Sequence, residues 1–517
     1  MFVSVSDGRW RRASGTGPGV HWNAVLVVAV LLAGLTLRLP SIDEPSIEQR
    51  ENQSSLLARG WFLHGQDDLP AWQRRVLGEV DTVLKPYEPP LLEIAAAAFY
   101  RATDRERIWF PRLLSVLAWI TGGAFLALLG KRLMNRAGIL TAVALYVAWP
   151  YPFSHSRKFM PDALLVACLL AATLAIVRYW ERPSRARFFG AAAAAAVATV
   201  IKPGVGYFFV VALFVALALA HGRLRAEIFS GRLPGFVGLA ASLALFYFAI
   251  GRYATNFIHP DAGTGRAMPD FVLTQRFWNG WWDMISFLLR SPQPQEYLAI
   301  APLALGVLGL VLTPRGVPRA ILWGLTGGYV LFALTFARYT ATHPYYALPL
   351  IPILALAIGI VVGRLHDRVS HLPPVRLALA LVVAAVIGGG AYKAYANIAI
   401  AQPPLRTISD YRRIGELTKH TTRAIIVNPS LAHPVMYWGW IVGDEWDLEQ
   451  EVLPRSIDPR DKDYLIVVGN GALQGSPGLR ALARGQRVVA RTERFTVFGL
   501  CQSRGGRLTG APCASRR

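Results

Sequence analysis

Residues 25–37 read VLVVAVLLAGLTL, a run without a single charged side chain. Long runs of the same kind follow at Ala191–Ile201, Phe208–Ala220, Leu298–Leu312 and Ala347–Val362. A helix that crosses the hydrocarbon core of a bilayer needs about 20 mostly apolar residues. The runs therefore predict an all-α polytopic membrane protein and exclude a soluble globular one.

The overall composition agrees with this fold class. The 517 residues are 53% hydrophobic and 17% charged, which is more apolar and less charged than an ordinary soluble domain. The formal net charge of +22 would suggest nucleic acid in a soluble protein. In a membrane protein, Lys and Arg concentrate in the cytoplasmic loops, so no nucleic-acid partner is expected.

The apolar pattern predicts eleven membrane spans. They lie near residues 21–39, 109–130, 136–153, 162–179, 186–201, 204–221, 234–251, 297–313, 319–337, 344–363 and 375–393. The first run follows three arginines, as in a signal peptide, but it ends in Arg38-Leu39-Pro40 without a small-x-small cleavage site. We therefore interpret it as an uncleaved first span.

The short loops fix the predicted orientation. If the N-terminus is cytoplasmic, one set of Arg- and Lys-rich loops falls entirely on the inside, as the positive-inside rule requires. These loops contain Arg9, Arg11, Arg12, Lys131, Arg132, Arg136, Arg178, Arg182, Arg185, Arg187, Arg223, Arg225, Arg232, Arg315, Arg319, Arg364, Arg368 and Arg376. The segment Pro89–Tyr100 is short and carries Glu93, so we interpret it as an interfacial helix.

The predicted organisation has four parts. Residues 1–20 form a cytoplasmic tail, and residues 21–395 form the membrane module, with a first outer loop at about 40–108. Residues 400–505 form a small extracytoplasmic α/β domain, with short strands at Arg423–Val427, Tyr464–Val468 and Arg487–Ala490. Residues 506–517 are rich in Gly, Arg and Ser and are expected to be disordered.

Three cysteines are present. Cys168 lies in an apolar run and is expected to pack there. Cys501 and Cys513 lie in the C-terminal tail, where they form a disulfide if the tail is extracytoplasmic, or remain free thiols. Both readings stay open.

Ionisable side chains gather in the predicted outer loops. An acidic pair follows the first span, Arg50 begins a stretch with helical apolar spacing that we expect along the interface, and Asp162 opens the fourth span, where it could simply cap a helix. Cations of this kind suit a phosphorylated lipid carrier, and a carboxylate can take the proton of an attacking hydroxyl. The candidates are Asp43, Glu44, Arg50, Lys85, Glu88, Arg157, Lys158, Asp162, Lys202, His343 and Tyr345.

The order of these motifs resembles glycosyltransferase family 39 of the GT-C superfamily, which includes protein O-mannosyltransferases and the aminoarabinose transferases of lipid A. The resemblance covers roughly residues 20–365. It rests on Asp43-Glu44, Arg50-x-x-Gln53, Glu88-Pro89-Pro90, Ser156-Arg157-x-Phe159-Met160-Pro161-Asp162, Lys202-Pro203 and His343-Pro344-Tyr345-Tyr346. In some relatives a basic residue follows the acidic pair sooner than Arg50 does here.

The resemblance implies a GT-C bundle and a donor sugar on a polyprenyl phosphate. It points to Asp43 as the general base, with Glu44 and Glu88 as open alternatives. It also matches Asp162 to the acidic residue that the family has in its second outer loop. Near the carrier phosphate it implies a set of basic residues, namely Lys85, Arg157 or Lys158, and Lys202.

The predicted function is thus an inverting, polyprenyl-phosphate-sugar-dependent glycosyltransferase (a hexosyl- or pentosyltransferase) in a bacterial inner membrane. Its acceptor is a hydroxyl of a glycolipid, a glycan or a protein. A divalent cation held by Asp43, Glu44, Glu88 and His343 is possible, but no ligand spacing is diagnostic. The alternatives are a membrane transporter or lipid-carrier flippase, and a non-catalytic assembly or sensing protein.

Overall fold

The computed structural model describes residues 19–255, 257–258, 268–290, 299–400, 404–429, 431–447 and 452–500. The expectations for residues 1–18, for Cys501 and Cys513, and for the tail at 506–517 lie outside these ranges.

Helices make up the first four fifths of the described chain. In order they are α1 (Gly19–Thr36), α2 (Gln49–Leu63), α3 (Ala71–Val83), α4 (Leu91–Thr103), α5 (Trp109–Gly130), α6 (Arg136–Ala148), α7 (Pro150–His155), α8 (Asp162–Glu181), α9 (Arg185–Ile201), α10 (Pro203–Ala220), α11 (Leu224–Phe229), α12 (Arg232–Ala249), α13 (Gln275–Arg290), α14 (Ile300–Leu312), α15 (Val317–Thr335), α16 (Ala337–Thr340), α17 (Leu350–Arg368) and α18 (Pro373–Ile400). Short 3₁₀ turns at Pro269–Leu273 and Pro344–Ala347 and a π-turn at Ile250–Ala254 join some of them.

Eleven of these helices occupy the predicted spans, namely α1, α5, α6, α8, α9, α10, α12, α14, α15, α17 and α18. Over the described residues, seven helices are long and apolar enough to cross a membrane, and Ala24–Thr36, Arg136–Ala148 and Ile300–Leu312 are shorter apolar helices. The chain is therefore a multi-pass membrane protein, as predicted.

Prolines shift two of the predicted span boundaries. The third span was expected to reach residue 153, but α6 ends at Ala148, and Pro150 begins the separate helix α7. The tenth was expected to begin at residue 344, but Pro344–Ala347 is a 3₁₀ turn and α17 begins only at Leu350, after Pro349. Proline lacks the N–H that a continuous helix requires, so each helix is interrupted there.

The C-terminal region is a small α/β domain. Its elements are α19 (Leu405–Leu417), β1 (Ala424–Val427), α20 (His433–Gly439), β2 (Gly443–Glu445), a 3₁₀ turn at Pro459–Asp461, β3 (Tyr464–Val468), α21 (Gly471–Gly475), α22 (Pro477–Ala483), β4 (Arg487–Arg491) and β5 (Phe495–Gly499). The strand order is β2-β1-β3-β5-β4; β1 pairs parallel with β2 and β3, and β5 pairs antiparallel with β3 and β4. The sequence predicted β1, β3 and β4 but missed β5 and the three-residue strand β2.

The helix at 49–63, which the sequence predicts along the interface, is enclosed by other parts of the protein. Eleven residues of α2 are buried, and they include Glu51, Asn52, Gln53 and Arg59. The helix is enclosed between α4, the loops of the bundle and α20 of the C-terminal domain. Buried polar side chains are tolerated there because each finds a partner, for example Ser54 Oγ, which donates to Glu93 Oε1 at 2.7 Å.

The first loop and the C-terminal domain share one hydrophobic core. Leu56 and Leu57 of α2 and Val76 and Val80 of α3 pack in the same cluster as Ile414, Ile426, Val435 and Val497 of the domain. We call the end of the bundle where these parts meet the domain side. The predicted interfacial helix is α4, which packs on α2 and α5 at this end.

Arg59 joins the two parts by polar contacts. Its guanidinium donates to Glu106 Oε2 at 2.9 Å and to the carbonyl oxygen of Tyr437 at 2.7 Å, and it lies 3.8 Å from the Tyr437 ring centroid and 4.4 Å from that of Trp440. Cation–ring contacts of a desolvated arginine add to its hydrogen bonds.

We expect Arg59→Met to destabilise the packing of the domain on α2 by about 2 kcal/mol, because Glu106 then keeps only the Tyr437 hydroxyl as a donor and the buried carbonyl of Tyr437 loses its donor. Hydrogen exchange in detergent should then show faster exchange in α20 than in the native protein. Arg74→Met, at an exposed arginine of α3, is the matched control. Equal exchange in α20 for native protein and Arg59→Met would contradict the assignment.

Candidate active site

Two cavities at the domain side lie on opposite faces of α2. At 100° per residue, Gln49, Arg50 and Gln53 share one face of the helix. Glu51, Asn52, Ser55 and Arg59 share the other. We name the two spaces the Arg50 cavity and the Asp43 cavity.

The Arg50 cavity has a volume of about 310 Å³. Its lining combines cations, one carboxylate and four tyrosines from four parts of the chain: Gln49, Arg50, Gln53, Val83, Leu84, Lys85, Tyr87, Glu88, Tyr339, Tyr345, Tyr346 and His433. It therefore gathers the predicted residues Arg50, Lys85, Glu88 and Tyr345 in one place.

Arg50 is held in position by two hydrogen bonds. Its Nη2 donates to Glu88 Oε2 at 2.7 Å, and its Nη1 donates to Gln53 Oε1 at 2.6 Å. Lys85, by contrast, has no hydrogen bond or ion pair with any residue that the structure describes. The cavity thus presents one fixed guanidinium and one free ammonium.

A smaller space of about 120 Å³ adjoins this cavity. The two share Tyr87, Glu88, Tyr339 and Tyr346, and Lys202 and several phenylalanines complete the smaller one. Lys202 stands at the turn between α9 and α10. The chain is so close at this turn that a Cβ at Gly206 would lie 2.4 Å from the carbonyl oxygen of Ala198, so the position requires glycine.

Asp162 and Lys202 form an almost fully buried ion pair. Lys202 Nζ lies 2.5 Å from Asp162 Oδ1, and His155 Nε2 lies 3.5 Å from Oδ2. The same ammonium lies 4.7 Å from the Tyr345 ring centroid and 4.6 Å from that of Tyr346. Asp162 therefore does not serve as the cap of α8, whose N-cap is Pro161, but fixes a cation against the aromatic wall of the cavities.

His343 lies behind this wall. Its ring centroid is 5.2 Å from that of Tyr345, and its Nδ1 lies 2.7 Å from Thr342 Oγ1. Burial and the charge of Lys202 lower the pKa of His343 to about 4. The imidazole is therefore neutral near pH 7 and adds no further positive charge.

The Asp43 cavity, of about 260 Å³, lies between the first loop and the C-terminal domain. Its lining consists of Asp43, Pro45, Ser46, Glu51, Asn52, Ser55, Arg59, Glu106, Ile108, Arg112, Tyr437 and Trp438. The Asp43 carboxylate is exposed, and no residue in the described ranges bonds to it. The backbone carbonyls of Ile42 and Glu44 accept hydrogen bonds from Arg112 at 2.9 and 2.6 Å, which positions the acidic pair.

The predicted residues Arg157 and Lys158 lie near the first outer loop and not in the Arg50 cavity. Arg157 donates to the carbonyl oxygen of Pro40, and Lys158 pairs with Glu48. Arg157 and Lys158, in the loop between α7 and α8, thus contact the segment that follows α1, whereas Asp162 contacts Lys202. Arg157 and Lys158 therefore do not line the Arg50 cavity, and their phosphate role stays a prediction.

Glu51 is a central residue that the sequence reasoning missed. It accepts from Arg112 Nε at 2.6 Å, from Arg112 Nη2 at 3.0 Å and from the backbone N–H of Phe159 at 3.0 Å. Burial disfavours its charged form, but the Arg112 guanidinium outweighs this and lowers the pKa of Glu51 to about 2. The available signal was Arg112 itself, an arginine just inside a predicted span, where a charge requires a partner.

The residues considered for a divalent cation do not form one site. Glu88 lines the Arg50 cavity and Asp43 lines the other. Among the described residues, no group of three or more His, Cys, Asp or Glu is placed to hold a metal ion.

Residues 87–250 match the family described as dolichyl-phosphate-mannose-protein mannosyltransferase. None of the curated proteins matches the sequence. Among solved structures, the chain is similar to ArnT from Cupriavidus metallidurans bound to undecaprenyl phosphate, with TM-score 0.58 and 14% identity over 93% of this chain and 98% of that one.

A second similar structure is the oligosaccharyltransferase AglB from Archaeoglobus fulgidus in complex with an inhibitory peptide and a dolichol-phosphate. Its TM-score is 0.57 and its identity 12%, over 94% of this chain and 75% of that one. At identities this low, the structural similarity establishes the fold alone. The resemblance to the GT-C glycosyltransferases is thus confirmed, since residues 87–250 match one of their families and the chain as a whole has their fold.

Proposed function

We propose that this chain is a membrane glycosyltransferase that moves a sugar from a polyprenyl-phosphate carrier to an acceptor hydroxyl on the extracytoplasmic side of a bacterial inner membrane. The observation that carries the proposal is the Arg50 cavity, where the unpaired Lys85 stands beside a fixed Arg50. The similar ArnT and AglB structures hold undecaprenyl phosphate and a dolichol-phosphate, which supports a donor of this class. The positive-inside rule supports the orientation.

The carrier phosphate binds Lys85 and Arg50 in this proposal. Cations stabilise an anionic leaving group most strongly where water is excluded, and the cavity wall of tyrosines limits its access. The Lys202 ammonium adds positive charge behind that wall. Asp162 acts as a positioning residue, because its carboxylate is occupied by Lys202 and His155.

The transfer is a single displacement. A carboxylate takes the proton of the acceptor hydroxyl, whose oxygen attacks the anomeric carbon. The bond from that carbon to the phosphate oxygen breaks, and the phosphate leaves with the electron pair. One displacement inverts the anomeric centre.

Asp43 fits the role of base best among the three candidates. Its carboxylate is accessible and unpartnered within the described ranges, whereas Glu88 accepts a hydrogen bond from Arg50. The acceptor then enters through the Asp43 cavity. Because the two cavities lie on opposite faces of α2, this assignment requires the donor sugar to extend from the Arg50 cavity past α2 to the Asp43 carboxylate.

We expect Asp43→Asn to reduce sugar transfer from a polyprenyl-phosphate donor by about 100-fold or more, the usual contribution of a general base. The amide keeps the shape of the side chain but cannot accept the proton. Glu79→Gln, at an exposed carboxylate of α3, is the control and should retain full activity. Full activity of Asp43→Asn together with an inactive Glu88→Gln would transfer the role to Glu88.

A transporter or flippase would place ionisable residues near the middle of its spans. In the eleven spans as described, Asp, Glu, Lys and Arg stand mostly near the helix ends, as Arg112 and Asp162 do, and Lys393 lies seven residues before the end of α18. This distribution favours chemistry at the membrane face over passage through the bilayer.

A further inference from the structure

The C-terminal domain reaches the Arg50 cavity through the short helix α20. This helix packs on α2, and two contacts fix it there. Trp438 Nε1 donates to the carbonyl oxygen of Ser46 at 2.9 Å, and the carbonyl oxygen of Tyr437 accepts from Arg59 at 2.7 Å. The first residue of α20, His433, is thereby held at the wall of the cavity.

His433 brings an unsatisfied polar atom to this wall. Its Nδ1 is buried and has no hydrogen-bond partner in the part of the chain that the structure describes. A buried polar atom without a partner costs about 1–3 kcal/mol. Such a cost is typical of an atom whose partner is a ligand, and the ligand space is the cavity that His433 lines.

The charge state of His433 narrows the ligand group. Burial and the nearby charge of Arg50 lower the pKa of His433 to about 4, so the ring is neutral near pH 7. A neutral imidazole nitrogen donates or accepts one hydrogen bond, depending on the tautomer. A sugar hydroxyl matches it in either tautomer, while Lys85 and Arg50 supply the positive charge that a phosphate requires.

We propose that His433 binds a hydroxyl group of the sugar on the lipid-linked donor, so that the C-terminal domain completes the donor site. The inference rests on the proposed function and assigns a substrate contact to a domain outside the helical bundle. Phosphate binding by Lys85 and Arg50 and sugar binding by His433 are then separable, because they belong to different parts of the chain.

The test separates these two contributions with His433→Phe and His433→Gln. Phe fills the space but offers no hydrogen bond, whereas Gln keeps a donor and an acceptor. We expect His433→Phe to lower kcat/KM for a glycosylated polyprenyl phosphate by about 10-fold or more, the equivalent of one lost hydrogen bond. The Kd for sugar-free polyprenyl phosphate should stay within about twofold, and His433→Gln should recover most of the activity.

The matched control is His420→Phe in the same domain. His420 stacks on Trp72 with ring centroids 3.9 Å apart, its Nδ1 lies 3.0 Å from the carbonyl oxygen of Gly439, and it lies outside the Arg50 cavity. Phe therefore keeps the stacking and loses one hydrogen bond of the domain away from the cavity. Native activity is expected for this variant. The Tm of each variant in detergent reports whether the domain remains folded, and His433→Gln decides the question if His433→Phe does not fold.

Two outcomes overturn the inference. Native kcat/KM in both His433 variants would show that the residue does not touch the donor. An equal loss of affinity for glycosylated and sugar-free polyprenyl phosphate would move the contact to the phosphate. If the native protein transfers no sugar, the proposed function fails, and the two Kd values still test whether His433 distinguishes a sugar-bearing lipid.

Discussion

Replacing Asp162 with Asn is expected to cost at least 100-fold in sugar transfer together with about 3–5 kcal/mol of stability. The carboxylate and the Lys202 ammonium are both nearly fully buried and lie 2.5 Å apart. Without the carboxylate, the ammonium remains buried and unpaired, which is far more costly than the loss of an exposed pair. Activity falls as well, because the cation is no longer fixed against Tyr345 and Tyr346.

A double variant separates stability from function. Lys202→Met alone should destabilise the protein less. Once the ammonium is gone, the buried Asp162 carboxylate can take up a proton and become neutral, so no unpaired charge remains. Combining Asp162→Asn with Lys202→Met removes both charges and should recover most of the stability of the single Asn variant. Activity should stay low in the double variant if the cation supports phosphate departure.

The matched control is Glu181→Gln, which breaks the half-exposed pair of Glu181 with Arg132. Partly exposed pairs contribute roughly 1 kcal/mol or less, so Tm and activity should stay close to native. The readouts are Tm in detergent and transfer from a polyprenyl-phosphate sugar. A double variant with native transfer would limit the pair to a structural role.

Glu51→Gln is expected to destabilise the domain side by about 3–5 kcal/mol at pH 7. The change breaks the buried pair with Arg112 and weakens the bond from the N–H of Phe159. Since α2, α5 and the loop before α8 all meet at this carboxylate, both cavities should lose their shape. Transfer activity should fall with stability.

The pH dependence follows from the lowered pKa of Glu51. The folded value is about 2 and the ordinary value is 4.5, so the unfolded chain binds the proton more readily. The pair therefore contributes fully above about pH 5 and loses its contribution as the pH falls toward 2. The stability difference between native protein and Glu51→Gln should shrink over that window.

Chemical unfolding of native protein, Glu51→Gln and the exposed control Glu416→Gln at several pH values between 7 and 3 measures this difference. Glu416→Gln should follow the native protein throughout. A difference between native protein and Glu51→Gln that stays constant from pH 7 to pH 3 would show that another group dominates this region.

The sequence predicted the membrane spans well because their signal is local. A run such as residues 203–220 is apolar throughout, and the bilayer selects for that property alone. Prolines moved two of the helix boundaries, at Pro150 and Pro349, and α18 continues to Ile400, seven residues beyond its predicted end. The strands β1 and β3 were also found, because they are buried apolar runs.

The polar centre could be predicted only in part, because its contacts join distant segments. Arg112 meets Glu51 across 61 positions, and Lys202 meets Asp162 across 40. The motifs named Asp162 and Lys202 as candidates, but nothing local revealed that they bind each other. Nor could a single sequence show that His433, more than 300 positions after Lys85, lines the same cavity.

The polar, enclosed helix α2 also has a consequence for the order in which the protein assembles. Its charged residues find their partners in segments synthesised later, including Arg112, Phe159 and Tyr437. Until the last of these emerges, Glu51 and Arg59 gain more from water than from burial. The first loop therefore stays hydrated and cannot pack fully until the C-terminal domain has been synthesised. In a polypeptide that stops before the C-terminal domain, α2 would remain exposed to proteases. Incomplete chains would therefore be degraded in preference to complete ones.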